Sequence, residues 1–193
     1  GGIVQFKAGK TYKATSSILV PYDRMTLWGY GAIITSTNST QHQKFSFLNR
    51  TGGVVCGLRF ECLNVSVVPA GSATVDIESS SGIKVSDCVF NDTPMGIRII
   101  GDCQRCSIKG NRFYRNFLGV EFDDVFGTNV VPSRCIITEN IFTDGSSFAA
   151  YSGAIKLAGG AHLTASVAAN VISNNTVFDA GEMGIEIQCY NDT

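Results

Sequence analysis

The chain has 193 residues, 44% of them hydrophobic, 16% charged, and a formal net charge of -1. That is enough apolar content for one buried core, and it leaves no general electrostatic case for nucleic acid or an anionic membrane surface. Gly, Ser, Thr and Asn are abundant and no segment carries a helical period, which favours short strands joined by turns.

In chain order, the opening reads GGIVQFKAGKTYKATSSILVPYDRMTLWGYGAIITS, a series of short apolar strands broken by glycine and proline. From there a six-residue phrase recurs: VCGLRF (55–60), VSDCVF (85–90), IKGNRF (108–113), ITENIF (137–142) and ISNNTV (172–177). Its fourth positions, Leu58, Cys88, Asn111, Asn140 and Asn175, are 30, 23, 29 and 35 residues apart. A second phrase interleaves with it, starting at Gly96 (GIRI), Gly119 (GVEF), Gly153 (GAIKL) and Gly184 (GIEI). Each reads as a glycine turn followed by the apolar–polar alternation of a strand. The chain starts at Gly1 and stops inside a recurring phrase, so a fragment of a longer protein is expected.

Short strands and a loose repeat of 23 to 35 residues indicate a solenoid. There is no strict hexapeptide period, so the fold class expected is all-β, a single-stranded right-handed parallel β-helix of about seven coils at ~4.8 Å per coil. A β-sandwich also uses many short strands but does not explain why two phrases keep one order in every repeat. Within such a coil the Ile and Phe point into a narrow core and the Asn sits at a turn. Stacked asparagines there would satisfy one another and the turn backbone. The seven cysteines are expected as free, mostly buried thiols. Cys103-x-x-Cys106 has neither a second CxxC nor a flanking His to complete a zinc site.

Aligning the glycine phrases places Arg98, Glu121, Lys156 and Glu186 in one outward column, with Asp76 and Glu78 one coil earlier and Asp123 two residues beyond Glu121. Asp124 follows at that strand's end. Glycoside hydrolysis needs an acid and a second carboxylate about 5–5.5 Å apart for retention or about 6.5–9.5 Å apart for inversion. Residues i and i+2 on a strand are ~6.7 Å apart and residues two coils apart ~9.6 Å. Glu121 with Asp123, or Glu121 with Glu186, therefore fits the inverting spacing, and Arg98 and Lys156 are candidates to hold anionic sugars. The same column also reads as a ladder of alternating charges, since opposite charges on adjacent strands attract. Two inserts, 124–134 and 158–170, leave near this face and would wall a groove. They bring His162 as a candidate base, and Tyr151, like Tyr114, Phe117, Phe126 and Phe148, offers an apolar face to a sugar ring.

The opening resembles the first coils of the pectate-lyase-like β-helix proteins, which include bacteriophage tailspikes and polygalacturonases. The residues that carry the resemblance are Gly1-Gly2, the apolar-aromatic strand 4–6, Gly9 to Tyr12, the strand 18–21 ending in Pro21, and the stretch from Leu27 to Gly31. The resemblance covers about 35 residues and implies the fold more specifically than the activity. It implies a polysaccharide partner, a tailspike-like depolymerase assembled as a homotrimer, and a virion-tail or secreted location, with no cofactor. The Asn-Thr-Asp and Gly-His-Gly motifs of polygalacturonases are absent, and neither His42 nor His162 lies in such a setting. Two other functions stay open. One is a β-elimination lyase with Lys156 or Arg98 as base and Ca²⁺ held by an acidic cluster. The other is a non-catalytic shaft or adhesin.

Overall fold

The computed structural model describes residues 1–36, 45–62, 73–123, 130–145, 153–158, 169–179 and 183–188. One complete coil consists of β8 (Lys84–Ser86), β9 (Val89–Asn91) and β10 (Met95–Ile100). The next is β11 (Ser107–Lys109), β12 (Arg112–Tyr114) and β13 (Leu118–Asp123), followed by β14 (Ile136–Thr138), β15 (Ile141–Thr143) and β16 (Gly153–Ala158). The last is β17 (Val171–Ser173), β18 (Thr176–Phe178) and β19 (Met183–Gln188). At the other end lie β1 (Ile3–Gln5), β2 (Thr11–Ala14), β3 (Ile18–Leu19), β4 (Thr26–Ser36), β5 (Phe45–Leu48), β6 (Val54–Cys62) and β7 (Val75–Glu78). In β4 and β6 the two short strands of later coils are fused into one. Strands of successive coils pair in parallel throughout, giving one 12-stranded sheet and a 7-stranded sheet ordered β19-β16-β13-β10-β7-β5-β3.

The recurring six-residue phrase turns one corner of this coil. Its third position holds a left-handed residue each time: Gly57, Asp87, Gly110, Glu139 and Asn174, with φ between 53° and 69°. The residue before the corner (Ile108, Ile137) and the one at the phrase's end (Phe113, Phe142) are buried. The fourth position carries the expected ladder. Asn111 donates from its backbone N–H (2.9 Å) and its amide (3.0 Å) to Asn140 Oδ1, and Asn140 does the same to Asn175 Oδ1, at 3.0 Å for each bond. Each amide also donates to a carbonyl one coil back: Val85 for Asn111, Ile108 for Asn140, Ile137 for Asn175. Asn111 and Asn140 are fully buried, so these bonds satisfy groups that would otherwise be costly to bury unpaired.

A phenylalanine stack runs beside the ladder. Phe60, Phe90, Phe113 and Phe142 have successive ring centroids 5.0, 4.8 and 4.6 Å apart and planes within 16° of parallel, the strand spacing itself. This stack corrects the reading of the glycine phrase. Gly96 and Gly119 are not turn residues but lie inside β10 and β13. A Cβ on Gly119 would meet Phe142 Cε1 and the Ala154 carbonyl oxygen at 2.5 Å each, and one on Gly96 would meet Phe113 Cε1 at 2.6 Å. At Gly96 and Gly119 the facing wall must make room for the rings; Gly153 and Gly184 face no ring. Among the described residues six cysteines are free thiols. Cys103 and Cys106 are buried, the Cys103 thiol donating to Ile100 O at 3.2 Å. Cys189 lies outside the described residues.

Two substitutions separate these roles. Asn140→Ala removes both acceptor and donor from the middle of the ladder and is expected to cost at least ~2 kcal/mol. Gly119→Ala forces the Phe142 ring to move and is expected to cost about 1–3 kcal/mol. Lys84→Ala, on the exposed face of β8, should stay within ~0.5 kcal/mol. Urea unfolding of the three variants measures this; Asn140→Ala as mild as Lys84→Ala would show that the ladder contributes little.

Candidate active site

The register of the 7-stranded sheet puts Ser46, Asp76, Arg98, Glu121, Lys156 and Glu186 side by side on β5, β7, β10, β13, β16 and β19. Strand alternation explains their common direction. Their neighbours Val75, Ile77, Ile97, Ile99, Val120, Phe122, Ile155 and Leu157 fill the core, so the residues between them face away from it. A second outward column, Leu48, Glu78, Ile100 and Asp123, lies two residues further along. The structure thus brings together Arg98, Glu121, Asp123, Lys156 and Glu186 as the repeat alignment expected. Asp124, Tyr151 and His162 lie outside the described residues, as do Phe126 and Phe148. Of the other aromatics, Tyr114 sits on β12 in the other sheet with the Arg115 guanidinium 4.8 Å from its ring centre. Phe117 packs on Ala73, Met95 and Leu118. Neither aromatic is on the charged face.

Burial of the column could not be read from the sequence. Although they face away from the apolar core, Asp76 is 1% and Glu121 8% exposed. Arg98 grips Asp76 with two bonds, Nε to Oδ1 at 2.9 Å and Nη2 to Oδ2 at 3.2 Å. Lys156 Nζ reaches Glu121 Oε1 at 3.7 Å. Burial pulls the Arg98 guanidinium down, and the carboxylates of Asp76, Glu121 and Asp123 together more than restore it, so the balance is upward. Glu121 is pushed up, first by burial and then by the Asp123 charge, against the opposing pull of Lys156 and Arg98. Asp123 and Lys156 therefore act on the same carboxyl in opposite directions, and burial decides the sign.

Alignment by repeats also missed an adjoining groove of about 310 Å³ at the carboxyl ends of β5, β7 and β10, lined by Asn49, Glu78, Ser79 and Asp102 among others. Asp102 lies in the turn just past the phrase starting at Gly96, outside the residues that repeat from coil to coil, so the alignment gave no signal for it. Among the described residues no group of three histidine, cysteine or acidic side chains is placed to hold a metal ion.

The arrangement is a parallel solenoid carrying a partly buried acid–cation column on its 7-stranded sheet. A family model described as the right handed beta helix region matches residues 29–193, and the chain belongs to that family. Comparison with curated proteins finds no match. Among solved structures, the crystal structure of a candidate glycosyl hydrolase from Parabacteroides merdae ATCC 43184 is similar with a TM-score of 0.53. The two share 12% identity over 92% of this chain and 83% of that one. At that identity the likeness is one of fold.

Because the Glu121 pKa is raised on folding, its ionisation opposes the folded state. The stability it contributes is present below the unfolded value near 4.5 and lost as pH rises through the folded pKa. Glu121→Gln is therefore expected to have a higher Tm than the parent at pH 7, the difference shrinking towards pH 4. A Gln variant less stable at pH 7 than at pH 4, relative to the parent, would mean that the Lys156 pair outweighs burial.

Proposed function

We propose that the protein is a polysaccharide-cleaving glycoside hydrolase in which Glu121 is the general acid. One observation carries the reading: Glu121 is raised although two cations sit beside it. In a purely structural ladder the cations would hold each carboxylate ionised and low; a carboxyl kept up between them is suited to hold a proton and give it away. In the proposed reaction Glu121 protonates the leaving glycosidic oxygen. Asp123, two residues along the same strand and ~6.7 Å away by strand geometry, takes a proton from the water that attacks the anomeric carbon. That spacing belongs to inversion. Glu186, two coils from Glu121 in register, is the alternative base. Support from outside the chain is the fold it shares with the Parabacteroides protein. The opening residues further support a tailspike-type depolymerase acting as a homotrimer, on a virion tail or secreted.

The lyase reading asks Lys156 or Arg98 to serve as base. Arg98 is held in its charged form by Asp76, and Lys156 Nζ is directed at Glu121 Oε1 at 3.7 Å, and this makes hydrolysis the better reading. A second reading, the non-catalytic shaft, is favoured by the same two ion pairs, which lock neighbouring coils together at Asp76–Arg98 and Glu121–Lys156.

Glu121→Gln keeps the shape and removes the titrating proton. Incubated with bacterial surface polysaccharides, the parent is expected to release reducing ends without the absorbance of unsaturated uronates. The folded Gln variant should be slower by at least ~10²-fold, the lower end for loss of general acid–base help. A folded Gln variant that cleaves at the parental rate contradicts the assignment of Glu121, and a parent that cleaves nothing favours the shaft.

A further inference from the structure

The groove beside the column has its own construction. At the ends of β5, β7 and β10 the residues Asn49, Ser79 and Gly101 take left-handed angles, φ 54°, 46° and 71°. Their N–H groups donate to Glu78 O, Ile100 O and Asp123 O of the following coils, each at 3.1 Å. These turns leave the cavity of about 310 Å³ with Leu48 and Val130 as apolar walls and Asn49, Glu78, Ser79 and Asp102 as polar ones. It adjoins the second outward column: Glu78, which lines it, is in register with Ile100, and Ile100 with Asp123. From β5 to β13 the track crosses three strand spacings, ~14 Å, the scale of a short oligosaccharide lying along the solenoid axis.

The charges along this track are one-sided. Among the described residues the lining of the groove has two carboxylates and no lysine or arginine. Of the two cations of the adjoining column, Arg98 is held by Asp76 through two bonds, and Lys156, beside Glu121 on β16, stands three strand spacings, ~14 Å, from Glu78 on β7. With the glycan-cleaving reading of Glu121 as its basis, we propose that groove and column form one binding track for an uncharged glycan, and that uronate-bearing polymers are refused. Sugar hydroxyls can donate to Glu78, Asp102 and Asn49, a favourable use of charged acceptors. A uronate in the same place would stand within a screening length of Glu78, Asp102 and Asp123 without a free counter-charge on the lining. This assigns Arg98 and Lys156 to setting the field around Glu121 rather than to holding an anionic sugar.

The test uses the parent chain, so that every charge of the track stays in place, and reads binding in brief, cold contact with an array of uncharged and uronate-containing oligosaccharides. Binding confined to uncharged members is expected, weakened about tenfold or more by adding Glu78→Lys or Asp102→Lys, a loss worth about 1.4 kcal/mol. Binding of uronate-containing members as tightly as uncharged ones overturns the proposal. So does binding that neither lysine substitution alters, or no binding to either class. Cleavage by the parent is scored separately. Binding of uncharged glycans with no cleavage removes the hydrolase reading and leaves the track's selectivity standing.

Discussion

Register between coils is the constraint on which everything else here depends, and from β8 to β18 it is held by buried asparagines. An amide that must accept from one coil and donate to another can satisfy both demands in only one alignment. A slip of one residue would put Gly110 or Arg112, Glu139 or Ile141, where the amide stood and leave buried N–H and C=O groups without partners. Asn111 meets Asn140, and so Glu121 meets Lys156; Cys88 N–H meets Asn111 Oδ1, and so Arg98 meets Glu121. At the amino-terminal end the corner holds Cys88 and Leu58 instead. Cys88 N–H closes the ladder on Asn111 Oδ1, and beyond it the long pairing of β4 with β6 sets the alignment.

The same geometry explains what sequence reasoning reached. Ile108, Phe113, Ile137 and Phe142 recur because they are inward residues at a fixed phase, and the outward column follows by counting two residues along a strand. Aligning the phrases by their apolar alternation, with one residue more between Gly153 and Lys156 than in the others, brings Arg98, Glu121, Lys156 and Glu186 together. At Gly96 and Gly119 the glycine is there for a phenylalanine of a different strand, which no turn pattern reveals. Burial of Asp76 and Glu121 was also beyond reach, since a strand's period tells which way a side chain points but not what lies over it. The bidentate Arg98–Asp76 pair follows from that burial rather than from the alternation of charge alone.

Energetics separate a ladder from a site. Exposed ion pairs contribute little, and buried ones must first offset the loss of hydration. The Arg98–Asp76 pair has the two-point geometry that offsets it well. Glu121–Lys156 at 3.7 Å is a looser contact, and Asp123 on the same strand adds repulsion. One half of the column is thus settled electrostatically and the other is left poised, with a carboxyl whose two protonation states lie closer in energy near neutral pH than those of an ordinary glutamate. That asymmetry, within a single row of side chains, is where proton transfer is best placed, and the open groove lies on the same edge.

The most direct test of this account is the titration of the Glu121 side-chain carboxyl by carbon-13 NMR in the intact chain, assigned by its absence from the Glu121→Gln spectrum. The account predicts a midpoint above the ordinary value of 4.5 that falls when Asp123 is replaced by Asn. A midpoint at or below 4.5, unmoved by that replacement, would contradict it and return Glu121 to the ladder.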